Sequence, residues 1–270
     1  MTGIAPTPVT GAGRGGTVHL TRAEALATVV LDNPGARNAL TTAMYDRLRD
    51  ICAELAADPS LRLVVLRGAG GAFAAGTDVA DLVAIRNGAD GVTYEAEITR
   101  VLDALRAVPV PVVALVEGPA VGGGLAIVAC CDLVYATPDA RFGAPVARTL
   151  GNCVSPATTA RMRAALGRAL ATELLLTGRL ATAQEALAAG LVRAIVDPAE
   201  LEDVVADLLA RVSRCAPLSV AAAKELGRRL DDQAGAVEHD DVYAQVYGSA
   251  DFAEGVRAFL EHRPPQWRGE

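Results

Sequence analysis

Short apolar segments alternate with amphipathic segments over the first half of the chain. Apolar runs of four to eight residues are typical of buried strands, whereas apolar positions three or four residues apart indicate a helix. The predicted strands are 17–20, 26–31, 61–66, 110–116 and 132–136. Helices are predicted over 41–57, where Thr41 or Thr42 is a suitable cap, and over the apolar run 125–131. This alternation predicts an α/β fold.

After Pro156 the pattern becomes almost wholly helical. The predicted helices are 157–166, 167–176, 182–189, 199–214, 218–230, 237–247 and 252–262, and one strand, 191–196, interrupts them. Several of the segments after residue 199 carry more apolar surface than a small appendage can bury, which predicts an oligomer. We therefore divide the chain into a flexible tail (1–16), a core (17–198) and a helical C-terminal region (199–270).

The tail contains a formal G-x-G-x-x-G match at Gly11, Gly13 and Gly16. A dinucleotide-binding turn of this kind follows a strand and opens a helix. Only the start of the tail, which is rich in Thr and Pro, precedes this match, so we do not interpret it as a cofactor site.

The charge and the cysteine content of the chain exclude some classes of binding partner and site. The formal net charge is −7, which argues against nucleic acid or an anionic membrane surface as a partner. The five cysteines form no C-x-x-C pair, so we expect reduced thiols and no metal site. No signal peptide is apparent, and no uncharged apolar run is long enough to cross a bilayer. The expected location is the cytoplasm.

Common catalytic motifs are missing from the sequence. The three histidines lie outside any Gly-rich turn, and neither a G-x-S-x-G elbow nor a phosphate-binding G-x-x-x-x-G-K-[ST] loop occurs. Two Gly-rich turns remain, 73–78 and 118–124, and each follows a predicted strand. Such turns can present backbone N–H groups at the start of a helix and bind a developing oxyanion. On spacing alone, a role in close packing or helix capping is an equal alternative.

Taken together, the motifs resemble the crotonase (enoyl-CoA hydratase/isomerase) superfamily. The resemblance is strongest at G-P-A-V-G-G-G-L (118–125) and C-D-L-V (131–134). Further matching segments are 32–40, 64–68, 73–78, 141–143, 176–178, 186–192, 217–219 and 259–265. The resemblance implies a spiral of repeated ββα units with C-terminal helices that assemble homotrimers or dimers of trimers. It also implies an acyl-CoA substrate, with no cofactor beyond the CoA of that substrate.

The resemblance also assigns site residues. The two oxyanion donors fall on the N–H groups of Thr77 and Gly123, and their neighbours Ala75, Gly76 and Gly122 are expected to contact the substrate. Arg37 occupies a position where basic residues of the family approach the CoA phosphates, although a solvated surface role is an alternative.

Two departures from the family pattern concern proton transfer. The positions of the two hydratase glutamates carry Ala126 and Val146. Because hydration needs paired carboxylates to deprotonate water and to protonate the α-carbon, we do not expect an efficient hydratase. The remaining possibilities are an enolate-forming acyl-CoA enzyme with another proton-transfer group, or a non-catalytic CoA-binding protein.

Replacements for the missing acids can be suggested. Asp81 could reach the pocket from the helix after the first turn, with a solvated or capping role as the alternative. A bound anion or a substrate carboxylate could also act. Arg148, Asn152, Cys153 and Ser155 could face the acyl group, although Asn152 or Ser155 could instead cap the next helix.

Overall fold

In the computed structural model, which describes residues 15–270, nine strands form two sheets. The strands are β1 (Thr17–Ala23), β2 (Leu26–Asp32), β3 (Leu63–Gly68), β4 (Val112–Val116), β5 (Pro119–Val121), β6 (Leu133–Ala136), β7 (Arg141–Gly143), β8 (Ala181–Thr182) and β9 (Ala194–Ile195). The larger sheet has the order β1-β2-β3-β4-β6-β9, and only its β1–β2 pair is antiparallel. The smaller sheet has the order β5-β7-β8. Residues 1–14 of the predicted tail lie outside the described residues.

Helices cover both faces of the larger sheet. They are α1 (Thr42–Ala56), α2 (Val79–Leu82), α3 (Gly88–Arg106), α4 (Gly123–Val128), α5 (Val146–Thr149), α6 (Pro156–Thr177), α7 (Ala183–Ala189), α8 (Leu201–Val212), α9 (Pro217–Gly235), α10 (Asp240–Tyr247) and α11 (Ala250–Leu260). The predicted α/β fold is confirmed. Thr41 caps α1, its hydroxyl accepting the Met44 N–H at 3.3 Å. The predicted helices 157–166 and 167–176 form one helix, α6, with a kink at Gly167.

The parallel strands β3 and β4 are buried on both faces, as strands enclosed by helices are. Val64 and Leu66 point into the main core, which also contains the apolar face of α1. The alternate residues Leu63 and Val65 point to the opposite face, where Leu201 of α8 packs. The first α-helix after residue 198, α8, therefore packs on one face of the larger sheet and is part of the folded core. The boundary at that residue stays a prediction.

The helix α3 was not predicted from the sequence. Its apolar stripe is interrupted because Gly88 and Gly91 occupy the first turns and Glu95 stands at a core-facing position. Gly91 has a packing function: the Tyr247 ring lies where a side chain at this position would extend. Close approach at Gly91 brings α10 directly onto α3.

No helix within residues 15–270 combines the length and the apolar character needed to span a membrane.

Candidate active site

The two Gly-rich turns lie side by side because they follow adjacent parallel strands. The first follows β3 and the second follows β4. Two main-chain hydrogen bonds join them: the Ala74 N–H donates to the Pro119 carbonyl at 2.9 Å, and the Val121 N–H donates to the Ala74 carbonyl at 2.9 Å. Gly122 has φ 53° and ψ −115°, a backbone conformation that glycine tolerates far better than other residues.

The Thr77 N–H in the first turn and the Gly123 N–H in the second have no protein acceptor within residues 15–270. On one side of Thr77, the Leu40 N–H donates to the Gly76 carbonyl at 2.7 Å, and the Asp78 N–H donates to the Leu40 carbonyl at 2.8 Å. Because bonding alternates along a strand, the Thr77 N–H points to the opposite side. Gly123 is the first residue of α4, where a helix leaves its N–H groups without partners.

Both residues line one cavity of about 180 Å³. Pockets that enclose a drug-sized ligand are usually about 300–1,000 Å³, so this cavity fits a short acyl group and leaves a larger attached group outside. The predicted substrate contacts Ala75, Gly76 and Gly122 also line it. So do Ala126 and Val146, and these side chains exchange no protons.

Some of the remaining predicted site residues line the cavity, and others lie outside it. Asn152, Cys153 and Ser155 line the cavity, whereas Arg148 is not among the described residues that line it. Ser155 also caps α6, because its hydroxyl accepts the Thr158 N–H at 3.1 Å. Arg37 is exposed outside the cavity lining, and its carbonyl accepts the Ala75 N–H at 3.0 Å, which places it next to the first turn.

Asp81 acts as a cap at the start of the helix α1. Its Oδ2 accepts hydrogen bonds from the Thr42 N–H at 2.6 Å and the Thr42 hydroxyl at 2.9 Å, at the start of α1. Asp81 is not among the described residues that line the cavity. The carboxylate therefore stabilises unpaired N–H groups at the start of a helix, and its suggested role as a base has no supporting contact.

Three hydroxyl groups meet beside the first turn. The Thr77 Oγ1 lies 3.0 Å from the Tyr45 hydroxyl and 3.1 Å from the Tyr94 hydroxyl, and all three residues line the cavity. Burial raises the pKa of both tyrosines, so both stay protonated. Three hydroxyl hydrogens serve two hydrogen bonds, which leaves one hydrogen for a ligand.

Glu95 on α3 is a cavity residue that the sequence analysis missed. It is 7% exposed, and its Oε1 accepts a hydrogen bond from the Tyr247 hydroxyl of α10. The Asn152 Nδ2 in turn donates to the Tyr247 oxygen at 3.2 Å. Burial raises the pKa of the Glu95 carboxyl to about 7, although the Tyr247 hydrogen bond and the charge of His239 lower it.

A sequence signal for Glu95 exists once α3 is known. Gly91, Glu95, Ile98 and Leu102 recur at helical spacing on one face, so the carboxylate interrupts an otherwise apolar stripe. The Tyr45 and Tyr247 contacts had no comparable signal, because each joins distant parts of the chain.

Comparisons with known proteins agree with this architecture. The chain matches the family model described as enoyl-CoA hydratase/isomerase over residues 21–270. It is 34% identical over 248 residues to the (E)-benzylidenesuccinyl-CoA hydratase of Thauera aromatica, covering 90% of this chain and 96% of that protein.

Two solved structures show the same fold. One is an enoyl-CoA hydratase/carnithine racemase of Magnetospirillum magneticum, with 35% identity and a TM-score of 0.76 over 94% of this chain and 96% of that one. The other is methylmalonyl-CoA decarboxylase in complex with 2-nitronate-propionyl-CoA, with 27% identity and a TM-score of 0.84 over 94% and 99%. The chain belongs to the enoyl-CoA hydratase/isomerase family.

Proposed function

We propose that this protein is an acyl-CoA enzyme whose Thr77 and Gly123 N–H groups hold the thioester oxygen and stabilise the enolate formed from it. The main support for this proposal is that Thr77 and Gly123 line one cavity, while their N–H groups have no protein acceptor within residues 15–270. Backbone donors fixed in advance cost no reorganisation when charge develops on the oxygen. The exposed Arg37, next to the first turn, is the proposed contact for the CoA phosphates.

The proposed reaction is an enolate reaction other than efficient hydration. Support comes from Ala126 and Val146, which line the cavity and offer no carboxylate to activate water. Reactions that begin by removing a proton from, or losing a group at, the α-carbon remain compatible with the two donors.

The test is a pair of ligands that differ only in the carbonyl group. Isothermal calorimetry with butyryl-CoA should show saturable binding, whereas S-butyl-CoA, a thioether with no carbonyl oxygen, should bind more weakly because it offers the two N–H groups no acceptor. Absence of saturable binding by CoA, acetyl-CoA and butyryl-CoA would overturn the proposed function. Equal affinity for the two butyl ligands would overturn the role of the donors.

We also propose that the protein assembles as a homotrimer or a dimer of trimers. The supporting observation is a set of exposed leucines on α9, where Leu218, Leu226 and Leu230 are 85%, 62% and 68% exposed. Apolar surface of this kind often marks a contact between protein chains. Light scattering at micromolar concentration should give the mass of three or six chains, and a clean monomer of 27.8 kDa would contradict the assembly.

A further inference from the structure

The cavity brings one carboxyl group close to the acyl site. Of the described residues that line it, Glu95 is the single aspartate or glutamate, and it lies on α3, away from positions 126 and 146. We infer that Glu95 is the group that takes and returns the substrate proton in this enzyme, an inference that rests on the proposed function. The position, the partners and the free oxygen of Glu95 support this role.

The position of Glu95 is hard to explain as purely structural. The other buried charged side chains within residues 15–270 are Arg106, Arg161 and Glu254, and each has an oppositely charged neighbour within 4 Å. Glu95 has no positively charged nitrogen within 4 Å in that part of the chain, and the charge of His239 acts on it only from a greater distance. Burial of a carboxylate without a directly paired cation opposes folding, so its presence in the cavity calls for a function.

The hydrogen-bond network of Glu95 occupies one carboxyl oxygen, Oε1, and leaves the other, Oε2, available to a ligand. The Tyr247 hydroxyl donates to Oε1, and Asn152 donates to the Tyr247 oxygen. The Tyr247 ring is itself fixed by edge-on packing against Phe252 at a centroid distance of 4.9 Å. No donor within residues 15–270 reaches Oε2, so this oxygen of a cavity-lining residue is free to exchange a proton. Tyr247 and Asn152 are positioning residues in this arrangement.

Glu95 alone can account for both proton transfers of the reaction. The Glu95 carboxylate takes a proton from the α-carbon, so the C–H bond breaks and an O–H bond forms at Oε2. The C–H electron pair becomes the double bond between the α-carbon and the carbonyl carbon, and the carbonyl π pair moves to the thioester oxygen. That enolate oxygen is held by Thr77 and Gly123. Glu95 then returns the proton to the α-carbon, or to the γ-carbon when the acyl group is a 3-enoyl group, which moves the double bond.

The surroundings of Glu95 allow both protonation states near neutral pH. Its pKa of about 7 results mainly from burial. The ionisable groups that act on it or respond to its charge are Tyr45 of α1, Tyr94 of α3, Cys153 after α5, and His239, Tyr243 and Tyr247 at or in α10. Burial raises the pKa of the four tyrosines and of Cys153, so these groups stay neutral. Proton removal should therefore accelerate as pH rises through about 7, as the carboxylate forms.

The test measures exchange of the α-protons of butyryl-CoA in D₂O by mass spectrometry. Glu95→Gln keeps the side-chain shape and an oxygen for the Tyr247 hydroxyl, and it should slow exchange by about 10²–10⁴-fold with butyryl-CoA affinity retained. Glu97→Gln is the matched control on the same helix, because Glu97 is exposed and pairs only with Arg100 in the described part of the chain. This control should exchange at the parent rate.

The outcomes separate this inference from the proposed function. Exchange by Glu95→Gln at the parent rate overturns the role of Glu95, as does a parent that binds butyryl-CoA without exchanging its protons. A parent that binds no acyl-CoA overturns the proposed function itself.

A second variant keeps the inference testable if Glu95→Gln does not fold. Tyr247→Phe removes a hydrogen bond that lowers the Glu95 pKa, so the rise of exchange rate with pH should move to higher pH. A purely structural role for Tyr247 would change the amount of folded protein and leave the pH profile in place. An unmoved profile therefore overturns the inference.

Discussion

The two sides of the cavity are built from different parts of the polypeptide. On one side, main-chain N–H groups of Thr77 and Gly123 are presented by turns that hydrogen bonds tie together. The other side consists of the lining side chains of Glu95 and Asn152, and Tyr247, which is not among the lining residues, forms a hydrogen bond with each of them. These three residues come from segments far apart in sequence. The backbone side depends on chain conformation, whereas the side-chain side depends on how helices pack. Substitutions should therefore alter the chemistry on one side without removing the other.

The largest expected effect concerns hydration. The parent should hydrate crotonyl-CoA at a rate at least about 10²-fold below that of an ordinary hydratase, because hydration needs two acid–base groups, Glu95 can supply only one of them, and each is worth about 10²–10⁴-fold. The measurement is the loss of absorbance of the conjugated thioester. Ala126→Glu together with Val146→Glu places two carboxyls in the cavity lining and should increase the rate. A parent rate of about ten per second would show that other residues supply the acid and the base.

Removal of a backbone donor should be the next largest effect. Proline at position 123 deletes the N–H at the first position of α4, where a helix tolerates proline. A side chain there would meet the Tyr45 hydroxyl, so both members of the test pair carry Tyr45→Phe. Gly123→Pro should reduce α-proton exchange by about 10²–10³-fold relative to Gly123→Ala, which keeps the N–H. Equal rates in the pair would refute the donor role of Gly123.

Glu95, on the side-chain side of the cavity, should also make the stability of the protein depend on pH. The pKa of Glu95 rises from 4.5 to about 7 on folding, so the folded state binds the extra proton between these values. Stability should fall as pH rises through that window, by about 3 kcal/mol in total at roughly 1.4 kcal/mol per pH unit. Glu95→Gln should remove this part of the pH dependence, and Glu97→Gln should retain it. Urea unfolding at pH 5 and pH 8 is the measurement, and parallel curves for the parent and Glu95→Gln would contradict the expectation.

The smallest expected effect belongs to the hydroxyl cluster next to the first turn. Tyr94→Phe removes a hydroxyl that lies 3.1 Å from the Thr77 Oγ1 and with it one of the two hydrogen bonds of the cluster. One hydrogen bond is worth about 0.5–1.5 kcal/mol, so kcat should fall about two- to tenfold with little change in acyl-CoA affinity. Tyr135→Phe is the control, because that ring packs on the opposite face of the larger sheet. An unchanged kcat would assign the cluster to packing alone.

Local features of the chain located the two turns on the backbone side of the cavity, but they left the function of these turns open. The glycine spacing after two apolar runs identified both turns, and Thr41 was one of the two residues suggested as the cap of α1. The family resemblance then singled out Thr77, Gly123, Ala126 and Val146, all of which line the cavity. The turns and the cap could be predicted because their geometry depends on residues next to each other in sequence, whereas the roles of the four residues stay predictions.

The side-chain side was decided only by tertiary packing. Glu95 and Tyr247 are 152 positions apart and meet because Gly91 lets α10 approach α3 closely. Asp81 shows the same limit, since its proximity to Thr42 across 39 positions turned a suggested base into a helix cap. A carboxylate has an ordinary pKa in an extended chain, and only burial among the packed helices raises that of Glu95 to about 7.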